Sequence, residues 1–260
     1  MGLFRFLACY FVLSTAVFGH NTAIKACTLD WPPYIAAGTE DHGPSGRHVD
    51  LVRRLFASMD HKVHIDVLPW KRCLAEAKAG RYDVIFSLVP SKDREGAFLF
   101  TDQPLQTLDF IFATLDPQAK DLWGKSYNPA DLPQPIGVPL GFSIGSELRK
   151  FSGVKVDDGA LNDRINLDKL LKGRVKTVLI ERHALATFLA ANPQKQEQFI
   201  ALEPPFRMNR AYYIAVSKRC CGSTRSAKAL VEKLNRALED VIPTQATQKA
   251  KSPQGDEPST

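Results

Sequence analysis

Apolar positions in the first 90 residues follow a strand pattern and a helix pattern in turn along the chain. AIKACTL, KVHIDVLP and YDVIFSLV have the alternating or continuous apolar pattern of strands. Between them, RHVDLVRRLFASM and WKRCLAEAKAG place apolar side chains every three or four residues, which predicts amphipathic helices. Strands that alternate with helices predict βαβ units and a mostly parallel sheet.

This rhythm breaks at LDFIFATL, a predicted strand with no helix after it, and resumes beyond a polar, Pro-rich segment. The second series contains the strand IGVPLG, a helical segment from Leu161 to Leu171, the strand GRVKTVLI and the helix RHALATFLAANP. The strand AYYIAVSK and the amphipathic helix SAKALVEKLNRALEDVI complete it. We therefore predict an α/β fold of two lobes, a clamshell whose hinge contains two crossover strands, LDFIFATL and AYYIAVSK.

The chain ends differ in composition from the predicted lobes. A basic MGLFR, an apolar FLACYFVLSTAVF and small residues after it predict a cleaved secretory signal peptide. The last segment is polar and rich in Pro, Ser and Gln, which is typical of a disordered tail. The expected divisions are a signal peptide at 1–23, lobe 1 at 24–113, lobe 2 at 114–212, a return to lobe 1 at 213–243 and the tail at 244–260.

Composition and charge narrow the class of protein. With 44% hydrophobic and 24% charged residues, the chain is typical of globular proteins. The formal net charge is +6, and its Lys and Arg residues are scattered, so no basic run could follow a phosphate backbone. Nucleic acid is therefore not an expected partner. After the signal segment, no apolar run is long enough to span a bilayer.

Four cysteines remain after export: Cys27, Cys73, Cys220 and Cys221. An oxidising compartment favours disulfides, and four thiols allow three pairings. Cys27 ends the first predicted strand and Cys73 lies early in the helix after the second, so a Cys27–Cys73 bridge is sterically reasonable. Cys220 and Cys221 would then remain as a vicinal pair, either strained as a disulfide or free. A metal site is the alternative, although neither a C-x-x-C motif nor a Cys/His pair has ligand spacing.

The chain contains none of the common catalytic or phosphate-binding motifs: G-x-S-x-G, H-E-x-x-H, a Walker loop or G-x-G-x-x-G. The histidines lack metal-ligand spacing and are expected at the surface, so we predict no metal and no cofactor. Ligands of open α/β sheets bind beyond the carboxyl ends of the strands. The loops there carry Trp31, Tyr34, Trp70 and Phe142, which could form the walls of a small-molecule site or simply pack within the lobes.

Arg94 has the most specific position, in SLVPSKDREGAFLFTD. Ser91 is a natural N-cap, and a cation in the first helical turn after it is opposed by the helix dipole. An anion bound there would reverse this objection, and a carboxylate would suit the guanidinium group. The alternative is an ordinary surface arginine.

Several motifs together resemble the extracytoplasmic solute-binding proteins of family 3. These are LDWPPY, VDLVRRL, GRYDVIFSLVPSKDREGAFLFTD, IGVPLGFS and GRVKTVLIE, and their order and spacing carry the resemblance over residues 24–240. The resemblance implies a type II periplasmic-binding-protein clamshell, located in the periplasm, that takes up a small solute. It also implies the membrane permease of an ABC importer as a partner, and we expect the protein to be a monomer.

The resemblance assigns roles to four polar residues. Arg94 would hold a carboxylate, and Ser87 could replace the hydroxyl that is usual five residues before Arg94, where this chain has Val89. In the second lobe, Ser143 would close on the carboxylate and Glu181 would hold an ammonium group. Ser143 could also be a helix N-cap, and Glu181 could form an ion pair with Arg182.

We therefore expect a binding protein without catalytic activity, which closes around a carboxylate-bearing solute such as an amino acid for ABC import. One alternative is a free-standing sensor that has no importer. Another is an enzyme similar to cyclohexadienyl dehydratases, in which Glu181 would act as the general acid.

Overall fold

The computed structural model describes residues 23–39 and 41–242. The predicted signal peptide, up to residue 22, and the predicted tail, 244–260, lie outside the described residues. Among the helices that are described, none combines the length and the apolar character needed to cross a membrane.

The first half of the chain contains five strands and three helices. They are β1 (Ile24–Thr28), α1 (Arg47–Ser58), β2 (Val63–Val67), α2 (Trp70–Lys78), β3 (Val84–Leu88), α3 (Lys92–Glu95), β4 (Phe98–Phe100) and β5 (Gln106–Thr114). The predicted βαβ rhythm is therefore confirmed for this half.

The second half contains the remaining elements of the described chain. They are α4 (Ala119–Ser126), a 3-10 turn (Pro129–Asp131), β6 (Ile136–Pro139), α5 (Ser143–Leu148), β7 (Val156–Ala160), α6 (Asp163–Leu171), β8 (Thr177–Glu181), α7 (Arg182–Ala190), a second 3-10 turn (Pro193–Gln198), β9 (Ile200–Ser217) and α8 (Thr224–Val241).

The strands join in the order β2-β1-β3-β9-β5-β8-β6-β7, with β4 also paired to β9. In one lobe β1 runs parallel to β2 and β3, and in the other β6 runs parallel to β7 and β8. The long β9 pairs antiparallel with β3 at its end and with β5 along the rest. Because β5 and β9 connect the two parallel groups, the predicted α/β clamshell with two crossover strands is confirmed. The lobe boundaries at 113 and 212 stay predictions.

Helices α1 and α8 pack together over the first lobe, and their apolar stripes explain why. Val52, Leu55 and Phe56 of α1 are fully buried, as are Leu234 and Leu238 of α8. Burying each such side chain stabilises the fold by about 1.5–3 kcal/mol. The sequence predicted both stripes from their helical spacing.

A disulfide joins Cys27 at the end of β1 to Cys73 in α2, which confirms the predicted pairing. The two Cα atoms are 5.8 Å apart, within the usual range for a disulfide. Cys220 and Cys221 are free thiols, the first buried and the second exposed.

Three elements differ from the sequence-based prediction. The polar, Pro-rich segment after β5, where the sequence predicted no helix, contains α4, which is anchored by the buried Ala119 and Trp123. β7, with the sequence VDDGA, is an edge strand that has almost no apolar pattern. AYYIAVSK is only the end of β9, since this strand begins at Ile200 and continues through Pro204 and Pro205.

Candidate functional site

The carboxyl ends of β1 and β3 and the loop after β6 face one another between the lobes. A small pocket lies there, which we call the interlobe pocket. Among its lining residues are Trp31, Trp70, Ser87, Arg94, Phe142, Ser143, Arg210 and Tyr212. The free space is only about 20 Å³, close to that needed for one water molecule. Side chains of both lobes therefore meet around this pocket, and a wider cleft of about 550 Å³ adjoins it at Arg94, Gly141 and Ser143.

Arg94 is buried in this pocket, with 7% of its surface exposed. Its Nη1 donates to the carbonyl oxygen of Val89 at 2.7 Å, and its Nη2 lies 3.5 Å from that of Gly141 in the other lobe. The guanidinium carbon is 5.5 Å from the centroid of the Trp70 ring. Burial lowers the pKa of Arg94; the nearby Tyr212 opposes this shift and Arg210 adds to it.

Within the described chain, no carboxylate forms an ion pair with Arg94. A buried charge without a counter-ion is costly unless hydrogen bonds or a ligand compensate it. Ser91 is the N-cap of α3, as expected, but its side chain makes no capping bond, and α3 has only four residues. The burial of the guanidinium group, rather than a helix dipole, thus makes this position suited to an anion.

Arg210, a pocket residue that the sequence did not reveal, has a carboxylate partner. Its Nη1 donates to Oε1 of Glu147 at 2.6 Å, and its Nη2 donates to the hydroxyl oxygen of Ser143 at 2.9 Å. Arg207 donates to the other oxygen of Glu147 at 3.0 Å. Ser143 is the first residue of α5, and its N-cap is Phe142, so the alternative role of Ser143 as N-cap is not observed.

Aromatic rings form the walls of the pocket. The Trp31 ring centroid lies 6.0 Å from that of Phe142, in an edge-to-face arrangement, and 5.1 Å from that of Tyr212. The indole nitrogen of Trp70 donates to the carbonyl oxygen of Gly141 at 3.2 Å, so Trp70 bridges the two lobes. Tyr212 was not predicted as a site residue, because its position in β9 became apparent only from the hinge pairing.

A second bridge between the lobes joins Trp31 to Asp163. The indole nitrogen donates to Oδ2 of Asp163 at 2.9 Å, at the start of α6. Burial raises the pKa of Asp163 to about 7; the Trp31 hydrogen bond opposes this rise, and the charge of Glu181 adds to it. This contact therefore holds, between the two lobes, a carboxyl group whose pKa lies well above its ordinary value.

Glu181 and Tyr34 lie beside the pocket rather than in its lining. Glu181 is fully buried and caps α7, since Oε2 accepts from the backbone N–H of Ala184 at 2.8 Å. Its Oε1 lies 3.0 Å from Nδ1 of His183. Arg182 pairs with Glu203, so the alternative Glu181–Arg182 ion pair is not formed. Contact of Glu181 with a solute stays a prediction.

Tyr34 is also buried, and its hydroxyl group lies near the Glu181 carboxylate. Burial raises the pKa of this hydroxyl, and the nearby Glu181 carboxylate raises it further. The Tyr34 ring stacks on His48 at a centroid distance of 4.9 Å. The expectation that the histidines lie at the surface is wrong for His48, which is 1% exposed, because its ring bonds with Ser87 and Gln106.

Residues 24–252 match the sequence profile of the bacterial extracellular solute-binding proteins, family 3. No curated protein matches the chain.

Similar solved structures include an ancestral arginine-binding protein bound to arginine, with 21% identity, a TM-score of 0.68 and coverage of 88% of this chain and 95% of that one. The same type of ancestral protein bound to glutamine has 22% identity, a TM-score of 0.69 and coverage of 88% and 95%. A periplasmic binding protein of Salmonella typhimurium with high arginine specificity has 16% identity, a TM-score of 0.69 and coverage of 87% and 96%. These likenesses show the fold, a type II periplasmic-binding-protein clamshell.

Proposed function

We propose, since the chain belongs to family 3 of the bacterial extracellular solute-binding proteins, that it binds a small carboxylate-bearing solute in the periplasm for an ABC importer. The solute would be an amino acid or a related acid. The observation that carries this proposal is the buried Arg94, which lines the interlobe pocket and forms no ion pair within the described chain.

A carboxylate at Arg94 would supply the missing counter-ion. The planar guanidinium group can donate two parallel hydrogen bonds to a carboxylate, which also fixes the orientation of the solute. Trp70 covers one face of the guanidinium, and the aromatic rings of Trp31, Phe142 and Tyr212 give the solute an apolar enclosure. These features support a solute with one anionic end and a body that contacts aromatic rings.

A solute would enter the interlobe pocket when the lobes separate. The pocket itself, about 20 Å³, is far smaller than the roughly 300 Å³ at the lower end of ligand pockets, and the wider cleft of about 550 Å³ beside it also reaches Arg94. β5 and β9 pass between the lobes and would carry a hinge rotation. Closure would then bring Gly141 and Ser143 of the second lobe against Arg94 and the bound carboxylate. A permease that recognises the closed form would receive the solute.

Glu181 does not fit the general-acid role that the dehydratase alternative gives it. Both oxygens of the Glu181 carboxylate already have partners, in the cap of α7 and in His183, and Glu181 does not line the pocket. The free-standing sensor shares the same binding pocket and differs only in its partner. Uptake of the labelled solute by a deletion strain would separate importer from sensor, since only loss of uptake supports the importer.

The experiment for the binding site is a thermal-shift and calorimetric screen of the 20 amino acids, each with its carboxamide. A binder should stabilise the wild type, and its carboxamide should not. Arg94→Ala should weaken binding by roughly 30-fold or more, since a buried charged partner is lost. Arg53→Ala is the matched control, because Arg53 lies on the exposed side of α1. If Arg94→Ala binds the same solute as tightly as wild type, the proposed site is wrong.

A further inference from the structure

Ser87 enters the interlobe pocket from an unusual backbone conformation. Its φ of 64° is in the left-handed region, which residues other than glycine seldom adopt. The pairing of β3 with β9 shifts register between Phe86 and Leu88, so Ser87 lies at a bulge. Bulges often redirect a side chain near a functional site. Ser87 is 3% exposed and its side chain is held at the pocket wall.

His48 forms a hydrogen bond with the Ser87 hydroxyl group. Nδ1 of His48 is 2.8 Å from Oγ of Ser87, and Nε2 is 3.1 Å from Oε1 of Gln106. Tyr34 stacks on the same ring, with 22° between the planes. His48 belongs to α1, Gln106 to β5 and Ser87 to β3, so the hydroxyl group lies where three elements meet.

The direction of these hydrogen bonds follows from the chemistry of the groups. Burial lowers the pKa of His48 to about 4, so the ring is neutral near pH 7 and carries one N–H. Oε1 of Gln106 can only accept, so the N–H of His48 is at Nε2. Nδ1 is then an acceptor, and the Ser87 hydroxyl donates its hydrogen bond to it. The Ser87 oxygen can still accept a hydrogen bond from the pocket, but the hydroxyl cannot donate a second one.

We propose that His48 and Gln106 are positioning residues that hold the Ser87 hydroxyl as a hydrogen-bond acceptor, so that the solute must place an N–H or O–H donor against it. This inference rests on the proposed function, because it assumes that the interlobe pocket holds the solute. It reassigns Ser87, which the sequence suggested as a donor to the carboxylate. The carboxylate belongs at Arg94, and Ser87 faces a neighbouring amino or hydroxyl group.

The expected solutes are therefore amino or hydroxy acids rather than oxo acids. An oxo group offers only lone pairs, and it would leave the buried Ser87 oxygen facing another acceptor. The opposite assignment would apply if the amide group of Gln106 were rotated by half a turn. His48 would then carry its proton at Nδ1, and the Ser87 hydroxyl would be free to donate to the solute.

Long-range proton–nitrogen NMR of the nitrogen-15-labelled protein at pH 7 tests the tautomer without a ligand. The His48 signals, assigned by comparison with His48→Asn, should show a protonated Nε2 and an unprotonated Nδ1. A protonated Nδ1 would overturn the proposal. A purely structural role for His48 would not select between these tautomers.

Binding of matched acids tests the consequence for specificity. The probes are L-glutamate, L-alanine and L-leucine, each with its 2-hydroxy and 2-oxo analogue. If a triad binds to wild type, its 2-oxo acid should bind at least about tenfold more weakly than its amino or hydroxy acid. Ser87→Ala should remove most of this difference. His48→Asn should keep it, because the Asn carbonyl can accept from Ser87, whereas His48→Leu should lose it.

The two proposals can fail separately. If no triad binds and none of the 20 amino acids binds, the proposed function fails, whatever tautomer His48 has. If acids bind through Arg94 and the 2-oxo acids bind as tightly as the amino acids, the acceptor role of Ser87 is wrong while the proposed function stands. Thermal melting of each variant shows whether it has folded before its binding is compared.

Discussion

Acidification should destabilise the protein through His48. The pKa shift of His48 gives the direction and the size of the change in the free energy of unfolding. The ordinary pKa of histidine is 6.5, and burial lowers that of His48 to about 4, with the charge of Arg47 adding to this effect and the Gln106 hydrogen bond opposing it. Between these values the unfolded chain binds a proton at this residue and the folded chain does not. The free energy of unfolding should therefore fall as the pH is lowered through this range.

The expected loss is roughly 3 kcal/mol between pH 6.5 and 4, since each pH unit across the gap contributes about 1.4 kcal/mol. Asp163 opposes this trend in the closed form. Its pKa is raised to about 7, so its protonation stabilises the fold as the pH falls below 7. The wild-type curve alone therefore mixes two effects of opposite sign.

The assay is urea unfolding of wild type and His48→Asn at half-unit steps from pH 7.5 to 4, followed by tryptophan fluorescence. Asparagine does not titrate, so subtracting the two curves isolates His48 and removes Asp163. On acidification from pH 6.5 to 4, the free energy of unfolding of wild type should fall by roughly 3 kcal/mol more than that of His48→Asn. A difference that stays constant within about 0.5 kcal/mol would show that His48 is not held neutral, and the argument for the Ser87 proton would lose its support.

Two further predictions concern the disulfide and the closed arrangement of the lobes. Replacing Cys27 and Cys73 together by Ala should lower the free energy of unfolding by about 4 kcal/mol, measured in urea, because a loop with a sequence separation of 46 residues is released. Cys221→Ser, at an exposed free thiol, is the control, and equal stability of the two variants would contradict the prediction. Trp31→Phe removes the donor to Asp163 and should weaken solute binding by about tenfold in calorimetry. Trp123→Phe, whose indole bonds within the second lobe, should leave affinity unchanged, and equal effects of the two variants would refute the role of the Trp31 bridge.

The fold could be predicted where burial follows a simple period. The stripes of α1 and α8 and the continuous apolar runs of β3 and β8 define their own elements, because each faces a core on one side or both. β7 could not be found, since an edge strand with the sequence VDDGA buries almost nothing. The full length of β9 was hidden by its prolines, which are tolerated there because the pairing with β5 is irregular.

The candidate site was predictable to the extent that its residues follow strands. Arg94, Ser87 and Trp31 lie in or just after the carboxyl ends of predicted strands, so the general rule for open sheets brought them together. His48 and Arg210 could not be placed in this way. His48 meets Ser87 and Gln106, which lie 39 and 58 residues further along the chain, and Arg210 depends on the register of the hinge strands. Such contacts arise from tertiary packing and leave no local pattern in the sequence.

The polar groups of the interlobe pocket separate into those that the protein already satisfies and those left for a solute. Arg210 has Glu147 and Ser143, and Trp70 has the carbonyl of Gly141. Arg94 keeps a buried positive charge that has backbone carbonyls as its hydrogen-bond partners in the described chain and the Trp70 ring over one face, while the Ser87 hydroxyl uses its hydrogen bond to His48. A solute that completes both must therefore carry an anionic group and a hydrogen-bond donor close together, which is the arrangement of a 2-amino or 2-hydroxy acid.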